Sequence, residues 1–482
     1  MGPARQRIPD RRADKGSRPM SNASHALPDM ESHIAQWGAG LSLSAIPAPA
    51  LSVARTCIRD GLGVMLAGCV TDVFAKCATL PRYTGPCELA DGTAGADVHT
   101  AALLNGTAGH ALDFDDTCYA GIVHGTAAVL PAALAVAQHT NAQGAQLLEA
   151  FVVGVETEYA LGLALTNSLY ERGHWTTATL GIVGAAAASA KLLGLDVEAT
   201  AHAIRLAANQ PMGLRATHGA TAKPYLCGMA ARSGIESAYA ARAGIAGQPG
   251  TFERPRGYAG TLNGGILDLA AIQALGSRYA LLDPGIAFKL RPMCSAVQAA
   301  IEAVIALQTQ HRWTLDQVVS ICCHGTPLVI TSLPYQKPKQ PGEAQFSMPF
   351  AIACTLLHGD VRISHLNDAT LADPALQHLM QRVTLRQDKA LVPPEHATSC
   401  PEAARVDIHL ADGRQLSHTV LAATGMPQQP ASEKTMQDKF IACASHVHSP
   451  EQAQALWLRL QDLDRLTDLR HLLRGPGHIG RA

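Results

Sequence analysis

The sequence predicts a mainly α protein in which a large all-helical domain is joined to a smaller α+β domain. Three observations carry this. The chain of 482 residues is 47% hydrophobic and only 16% charged, against roughly 25% charged in an average soluble domain, so it can build a large dry core. Residues 30–285 are rich in Ala, Leu and Gly, in long runs at helical spacing. After Pro284 short β-branched runs appear, and from Ser432 the helical texture returns.

Taken in order, residues 1–29 read as a disordered N-terminal tail. The first twenty carry six basic and two acidic residues and no apolar stretch, so a secretory signal peptide is not expected. The domain at 30–285 follows, with helices expected over 51–70, 126–139, 147–165, 178–195 and 229–244. Several are apolar nearly all round, as helices inside a bundle are. The small-residue run 181–190, GIVGAAAASA, reads as close helix packing, because it lacks the G-x-G-x-x-G of a dinucleotide site. The α+β domain spans 286–425. Residues 318–324 and 328–331 read as strands and 349–357 and 374–383 as helices. Residues 406–410 and 416–420 read as a hairpin around Asp412-Gly413, a pair that tolerates positive φ. The segment 426–482 resumes the helical pattern, at 451–463 and 466–473, and is expected to pack back on the first domain.

Charge and cysteine content narrow the function classes. With 38 Lys+Arg against 39 Asp+Glu the chain has no polyelectrolyte character, so nucleic acid is not an expected partner. No run of about 20 residues is apolar without glycine breaks, so no membrane association is expected. The twelve cysteines form no C-x-x-C pair and lie in apolar surroundings, as buried thiols of a reducing compartment do. A cytoplasmic protein is the expectation.

Three polar clusters interrupt the apolar domain. The first is Asn105-Gly-Thr-Ala-Gly-His110-Ala-Leu-Asp113-Phe-Asp115-Asp116-Thr117, followed by His124. Three carboxylates within four residues repel one another, which raises at least one pKa unless cations compensate, and a carboxylate so tuned suits acid or base work. The same stretch also reads as a helix C-terminus with solvated caps. An Asp-rich segment can also hold magnesium against pyrophosphate, but no second carboxylate-rich helix accompanies it, and no metal is expected. The second cluster places His174 just before a helix, where the dipole favours a neutral imidazole and bound anions, although the residue also suits a plain loop hydrogen bond. The third sets Lys223 in a glycine-bearing turn ahead of the helix at 229–244, suited to gripping a carboxylate.

These stretches resemble the MmgE/PrpD family, which includes 2-methylcitrate dehydratase, cis-aconitate decarboxylase and iminodisuccinate epimerase. The matching segments are NGTAGHALDFDDT, GHWTTATLGIVGAAAASAKLLGLD and TAKPYLCGMAARSGIESA, with the weaker FKLRPMC and QFSMPFAIACTLLHGDV, in the family's order. The resemblance implies the same two-domain fold, a homodimer without cofactor, and a small di- or tricarboxylate as substrate. By motif position it implies catalytic roles for His174, His124, Asp113 and Thr117. Substrate binding falls to Lys223, with Asp116, His110 and Arg291 beside it. His124 stands one residue further from the acidic stretch than the family spacing. Ala296, Gln298 and Phe350 replace histidines and a tyrosine found in many relatives, which implies a cleft wall with fewer proton-transfer groups.

The implied chemistry is proton handling α to a carboxylate. Dehydration of a 2-methylcitrate-like acid is the first expectation, and decarboxylation of cis-aconitate or epimerisation of iminodisuccinate the alternative. A catalytically impaired carboxylate-binding member is a further alternative, favoured by the altered stretch at 293–298.

Overall fold

The computed structural model describes residues 29–93, 95–393 and 396–474. The expected tail, apart from Asp29, lies outside these residues. The protein is mainly α, with long helices over most of the chain and one four-stranded sheet.

The apolar runs form helices at Ala48–Gly68, Gly125–Thr140, Gly144–Leu165 and Thr176–Leu192, each within a few residues of the expected span. Two further helices matter for the site. Val98–His110 starts on Asp97, whose carboxylate accepts from the amides of His99 and Thr100. Ala222–Arg242 starts two turns earlier than its apolar pattern suggested. Pro224 lies in its first turn, where the missing N–H costs nothing. Lys223 is therefore fixed on a helix and not on a loop.

These two helices cross where glycine faces glycine. A Cβ on Gly106 would lie 2.8 Å from the Gly228 Cα, and one on Gly228 would lie 2.2 Å from the Leu103 carbonyl oxygen. Only glycine permits that approach, and it sets the distance between His110 on one helix and Lys223 on the other.

One apolar core gathers residues from Met30 to Ile286 together with Met436 to Leu473, so the C-terminal helices Glu433–Ala444 and Pro450–Gln461 close the helical bundle. A second core runs from Ala287 to Met426 and takes in Tyr119 from the first domain's polar loop. The two are stitched by a short antiparallel pair, Thr117–Cys118 with Ile286–Ala287.

The sheet has Val318–Gly325 at its centre, antiparallel to Ala404–Leu410, which pairs in turn with Gln415–Val420. The hairpin turns at Asp412-Gly413, with Gly413 at a φ of 86°. Three expectations need correction. Residues 328–331 are helical, within Pro327–Ser332, because Thr326 caps the Val329 amide and Pro327 opens the turn. The helix expected over 374–383 ends at Met380, and Val383–Gln387 is instead a strand parallel to the central one. Residues 466–473 form no helix. Side chains take over the backbone's partners there: Gln138 donates to the Leu469 carbonyl and Glu88 accepts from the Leu473 amide, while Leu469, Leu472 and Leu473 are buried. Burial produced the leucine pattern without helix periodicity.

All twelve cysteines are free thiols, eleven of them buried. No single helix among the described residues is long and apolar enough to cross a membrane.

Candidate active site

The helix Val98–His110 ends in a turn that carries Asp113 into the left-handed region, at a φ of 47°. Aspartate tolerates this better than most side chains. Two buried lysines hold the turn from behind. Lys289 donates to the Asp113 carbonyl (2.6 Å), and Lys439, from the returning C-terminal helix, donates to the Phe114 carbonyl (2.9 Å) while pairing with Asp60 (2.7 Å). The turn's geometry thus depends on residues more than 170 positions away in the chain.

The Asp113 carboxylate is buried and surrounded by cations and imidazoles. Lys223 Nζ lies 2.8 Å from Oδ1 and Lys289 Nζ 3.5 Å from Oδ2, with His110 Nε2 at 3.6 Å and His124 Nε2 at 4.0 Å. Burial alone would raise its pKa, but the ammoniums of Lys223 and Lys289 overcome this and hold it well below the usual carboxylate range.

Asp115 clamps both histidines: its oxygens lie 2.9 Å from His110 Nδ1 and 3.3 Å from His124 Nδ1. The hydrogen bonds decide the tautomers. His110 Nδ1–H donates to Asp115, leaving Nε2 as acceptor for the Lys223 ammonium at 2.5 Å. His124 Nδ1–H donates to the Asp116 carbonyl at 2.8 Å, with Thr117 Oγ1 at 3.2 Å, so the lone pair of Nε2 faces Asp113. Burial is the main cause that lowers both imidazole pKa values, well below the ordinary range for His124. Both are neutral bases in the resting protein.

A cleft of about 380 Å³ opens onto Lys223, His110 and Asp113, walled by first-domain residues such as Val73 and Leu112 and second-domain residues such as Phe346 and Ile363. Lys223 has three N–H groups. Asp113 and His110 take two, so the third is available to an anion in the cleft. The rings of Trp175 and Phe346 lie 5.0 and 5.1 Å from the ammonium, cation–π distances that fix it further.

The structure therefore brings together Asp113, His110, His124, Thr117 and Lys223. It treats the other expected residues differently. His174 is not drawn into the cluster: its backbone bridges to Leu214, and successive residues of an extended segment point opposite ways. Trp175, the next residue, packs on His110 instead, with ring centroids 5.2 Å apart. Asp116 faces away from the cleft. Its Oδ2 accepts from Thr126, and burial pushes its carboxyl up to about 7. Arg291 is occupied by Glu302 (2.9 Å) and Asp360 (3.0 Å) in the second domain.

Ala296, Gln298 and Phe350 are buried in or against the second core and not on the cleft wall. Gln298 donates to the carbonyls of Arg291 and Met293, holding that turn. Residues to which the sequence assigned no role are Asp115, Trp175, Phe346 and His218, while Lys289, which the sequence offers only as a cation near Arg291, proves to be part of the cluster. His218 stacks on Phe346 (14° between planes) near Lys223, and burial lowers its pKa to about 3. Asp115 lay in plain view within the acidic run, but nothing local distinguished it from its neighbours.

His110, Asp113, Asp115 and His124 place one ligand atom each within 4.8 Å of one another, a spacing compatible with a metal ion. The donor set does not fit one well, because Lys223 and Lys289 already neutralise Asp113, and a dication would have to displace or repel both.

The family model of the MmgE/PrpD N-terminal domain matches residues 32–267 and that of the MmgE/PrpD C-terminal domain matches residues 292–465. The chain is 26% identical over 458 residues to the cis-aconitate decarboxylase of Mus musculus, covering 91% of this chain and 92% of that protein. It is 25% identical over 456 residues to that of Homo sapiens (91% and 93%) and 26% over 479 residues to that of Aspergillus terreus (93% and 96%). Both family domains thus match in order, and the Asp113–Lys223 cluster sits where the two meet: the chain belongs to the MmgE/PrpD family.

Proposed function

We propose that the protein is a lyase acting on a small carboxylic acid with two or three carboxylates, and that it works with its own side chains at the carbon next to a carboxylate. The observation that carries this is the Lys223 ammonium, buried and fixed by Asp113 and His110 where the three line the cleft, with the Nε2 of His124 4.0 Å behind on the Asp113 carboxylate.

Decarboxylation of a cis-aconitate-like acid is the leading reading, supported by relatives named for that activity that align over more than nine-tenths of both chains. The bond to the departing carboxylate breaks and carbon dioxide leaves. The electron pair passes through the double bond to the far carbon, which takes a proton from His124 Nε2, loaded from solvent when the substrate's negative charge enters the site. Lys223 holds a retained carboxylate and stabilises the charge that gathers there. Asp113 orients Lys223, while Asp115 and Thr117 orient the His124 ring.

Dehydration of a 2-methylcitrate-like hydroxy acid is the second reading. The chain Lys223–His110–Asp115 favours it, since a hydrogen-bonded ammonium at the cleft can protonate a leaving hydroxyl. The homodimer implied by the resemblance belongs to the same proposal and is checked by analytical ultracentrifugation.

The test is proton NMR of the purified protein in deuterium oxide with cis-aconitate, 2-methylcitrate, citrate and iminodisuccinate. Itaconate carrying one deuterium supports decarboxylation. New alkene signals from a hydroxy acid support dehydration, and exchange at the α-carbon without net loss supports epimerisation. No reaction with any of them, together with no binding that depends on Lys223, would refute the proposal.

A further inference from the structure

Lys223 belongs to the first domain, but the segment that delivers it to the cleft is held by the second. That segment leaves the first domain at Gly213, whose carbonyl accepts from the Trp175 amide at 3.1 Å. It ends in the helix Ala222–Arg242, with Lys223 in the first turn. In between, successive turns pass the chain along. The amides of Thr217, His218, Ala220 and Lys223 donate to the carbonyls of Leu214, Arg215, Thr217 and Ala220.

The middle of the segment rests on the second domain. Tyr335 Oη donates to the His218 carbonyl (2.7 Å), and the His218 ring stacks on Phe346 with centroids 5.1 Å apart. The two aromatic residues are themselves joined, the Tyr335 amide donating to the Phe346 carbonyl at 3.4 Å. Gly219 has a φ of 82°, and the Tyr335 ring covers it so closely that a Cβ there would lie 2.6 Å from Cε2. Arg215 adds a donor to the Thr331 carbonyl at 3.0 Å. Gly219 stands four residues before Lys223 and by itself permits many backbone conformations. The contacts from the second domain select one of them.

We infer that Tyr335 is a positioning residue for Lys223: by holding the His218 carbonyl from the opposite domain, it keeps the ammonium on Asp113 at the cleft. The inference rests on the reading of Lys223 as the carboxylate-binding group. It deepens that reading, because the cation that grips the substrate is aimed by the domain across the cleft.

Tyr335→Phe tests it, since the ring that covers Gly219 stays and only the donor to His218 goes. The readout is reductive methylation with formaldehyde and cyanoborohydride, followed at each lysine by mass spectrometry. Lys223, Lys289 and Lys439 are buried alike, with side chains 4%, 0% and 4% exposed, so each reacts through local opening. One neutral hydrogen bond is worth about a fivefold change in such an equilibrium. Lys223 should therefore react about fivefold faster in Tyr335→Phe, while Lys289 and Lys439 keep the parent's rates. Equal Lys223 rates in variant and parent would overturn the inference. So would acceleration of all three lysines together, which is the general loosening that a merely structural tyrosine would give. Calorimetry with tricarballylate judges the underlying reading separately. Affinity that falls in Lys223→Met supports the carboxylate site. Affinity that survives that substitution unchanged refutes the site, and the labelling rates still decide whether Tyr335 positions Lys223.

Discussion

Replacing Asp113 by Asn keeps the shape of the side chain and removes its charge. Two ammoniums, Lys223 at 2.8 Å and Lys289 at 3.5 Å, then lie buried without their nearest counterion, and Asp115 is left as the acidic neighbour of Lys289. Removing one member of a buried ion pair costs about 3–5 kcal/mol, because the remaining charge has lost both water and its counterion. For a chain of this size, whose unfolding entropy is about 1 kcal/mol/K, that corresponds to a melting temperature lower by about 3–5 °C. Since the protein has two cores, differential scanning calorimetry, which resolves separate transitions, is the appropriate assay. The transition of the helical bundle should move and that of the sheet domain should not. The double variant Asp113→Asn/Lys289→Met removes one orphaned cation along with the anion, so its loss should be smaller than the sum of the two single losses. Turnover should fall by a factor of at least about 100 in Asp113→Asn, because Lys223 loses the partner that aims it. A single variant that melts within 1 °C of the parent (roughly 1 kcal/mol), or strictly additive losses, would refute this account of the cluster.

Other consequences follow from the same geometry. His124→Ala should lose about two to four orders of magnitude in kcat, the usual worth of a positioned acid or base, with circular dichroism unchanged. His174→Ala should keep activity near that of the parent while Trp175→Ala should not, and an inactive His174→Ala protein would contradict the placement of the indole on Lys223 and His110. Burial raises the Asp116 carboxyl to about 7, so the folded state holds a proton that the unfolded chain releases, and stability drains away as pH rises from about 4 to 7. Asp116→Asn, which mimics the protonated form, should therefore raise the melting temperature at pH 8 and leave it unchanged at pH 4. Prolonged dialysis against EDTA should leave turnover intact, since Lys223 and Lys289 satisfy the carboxylate that a metal would need.

How much of this was legible in the sequence depended on whether the signal was local. The long apolar helices were, because their composition and spacing repeat over four or more turns. The acidic run and Lys223 were visible as polar islands in apolar surroundings. The side on which each residue faces was not. His174 and Trp175 are neighbours, and a one-residue difference in an extended segment decides which of them reaches the cluster. Arg291 and Lys289 stand two apart and look equivalent in sequence, but the partners that claim Arg291, Glu302 and Asp360, are known only from the fold. The strand Val383–Gln387 was missed because its evidence is a parallel partner more than 60 residues away, and the leucines of 466–473 were over-read because burial without periodicity imitates a helix.

The charge balance of the cluster suggests how a neutral base can become an acid. Asp113 and Asp115 contribute two negative charges, Lys223 and Lys289 two positive ones, and the two histidines are neutral, so the resting site carries no net charge. A substrate carboxylate brought to the third N–H of Lys223 would leave the site one charge negative in surroundings that screen poorly. Nearby negative charge favours imidazolium, so the anion itself would raise the pKa of His124 and draw a proton to Nε2. Decarboxylation needs a proton donor at that moment, and the product, having taken the proton, leaves with one carboxylate fewer. Binding should therefore be accompanied by proton uptake, visible in calorimetry as a binding enthalpy that changes with the ionisation enthalpy of the buffer. In His124→Asn that dependence should vanish even where affinity survives. If it persists unchanged, the proton enters elsewhere and His124 is not the donor.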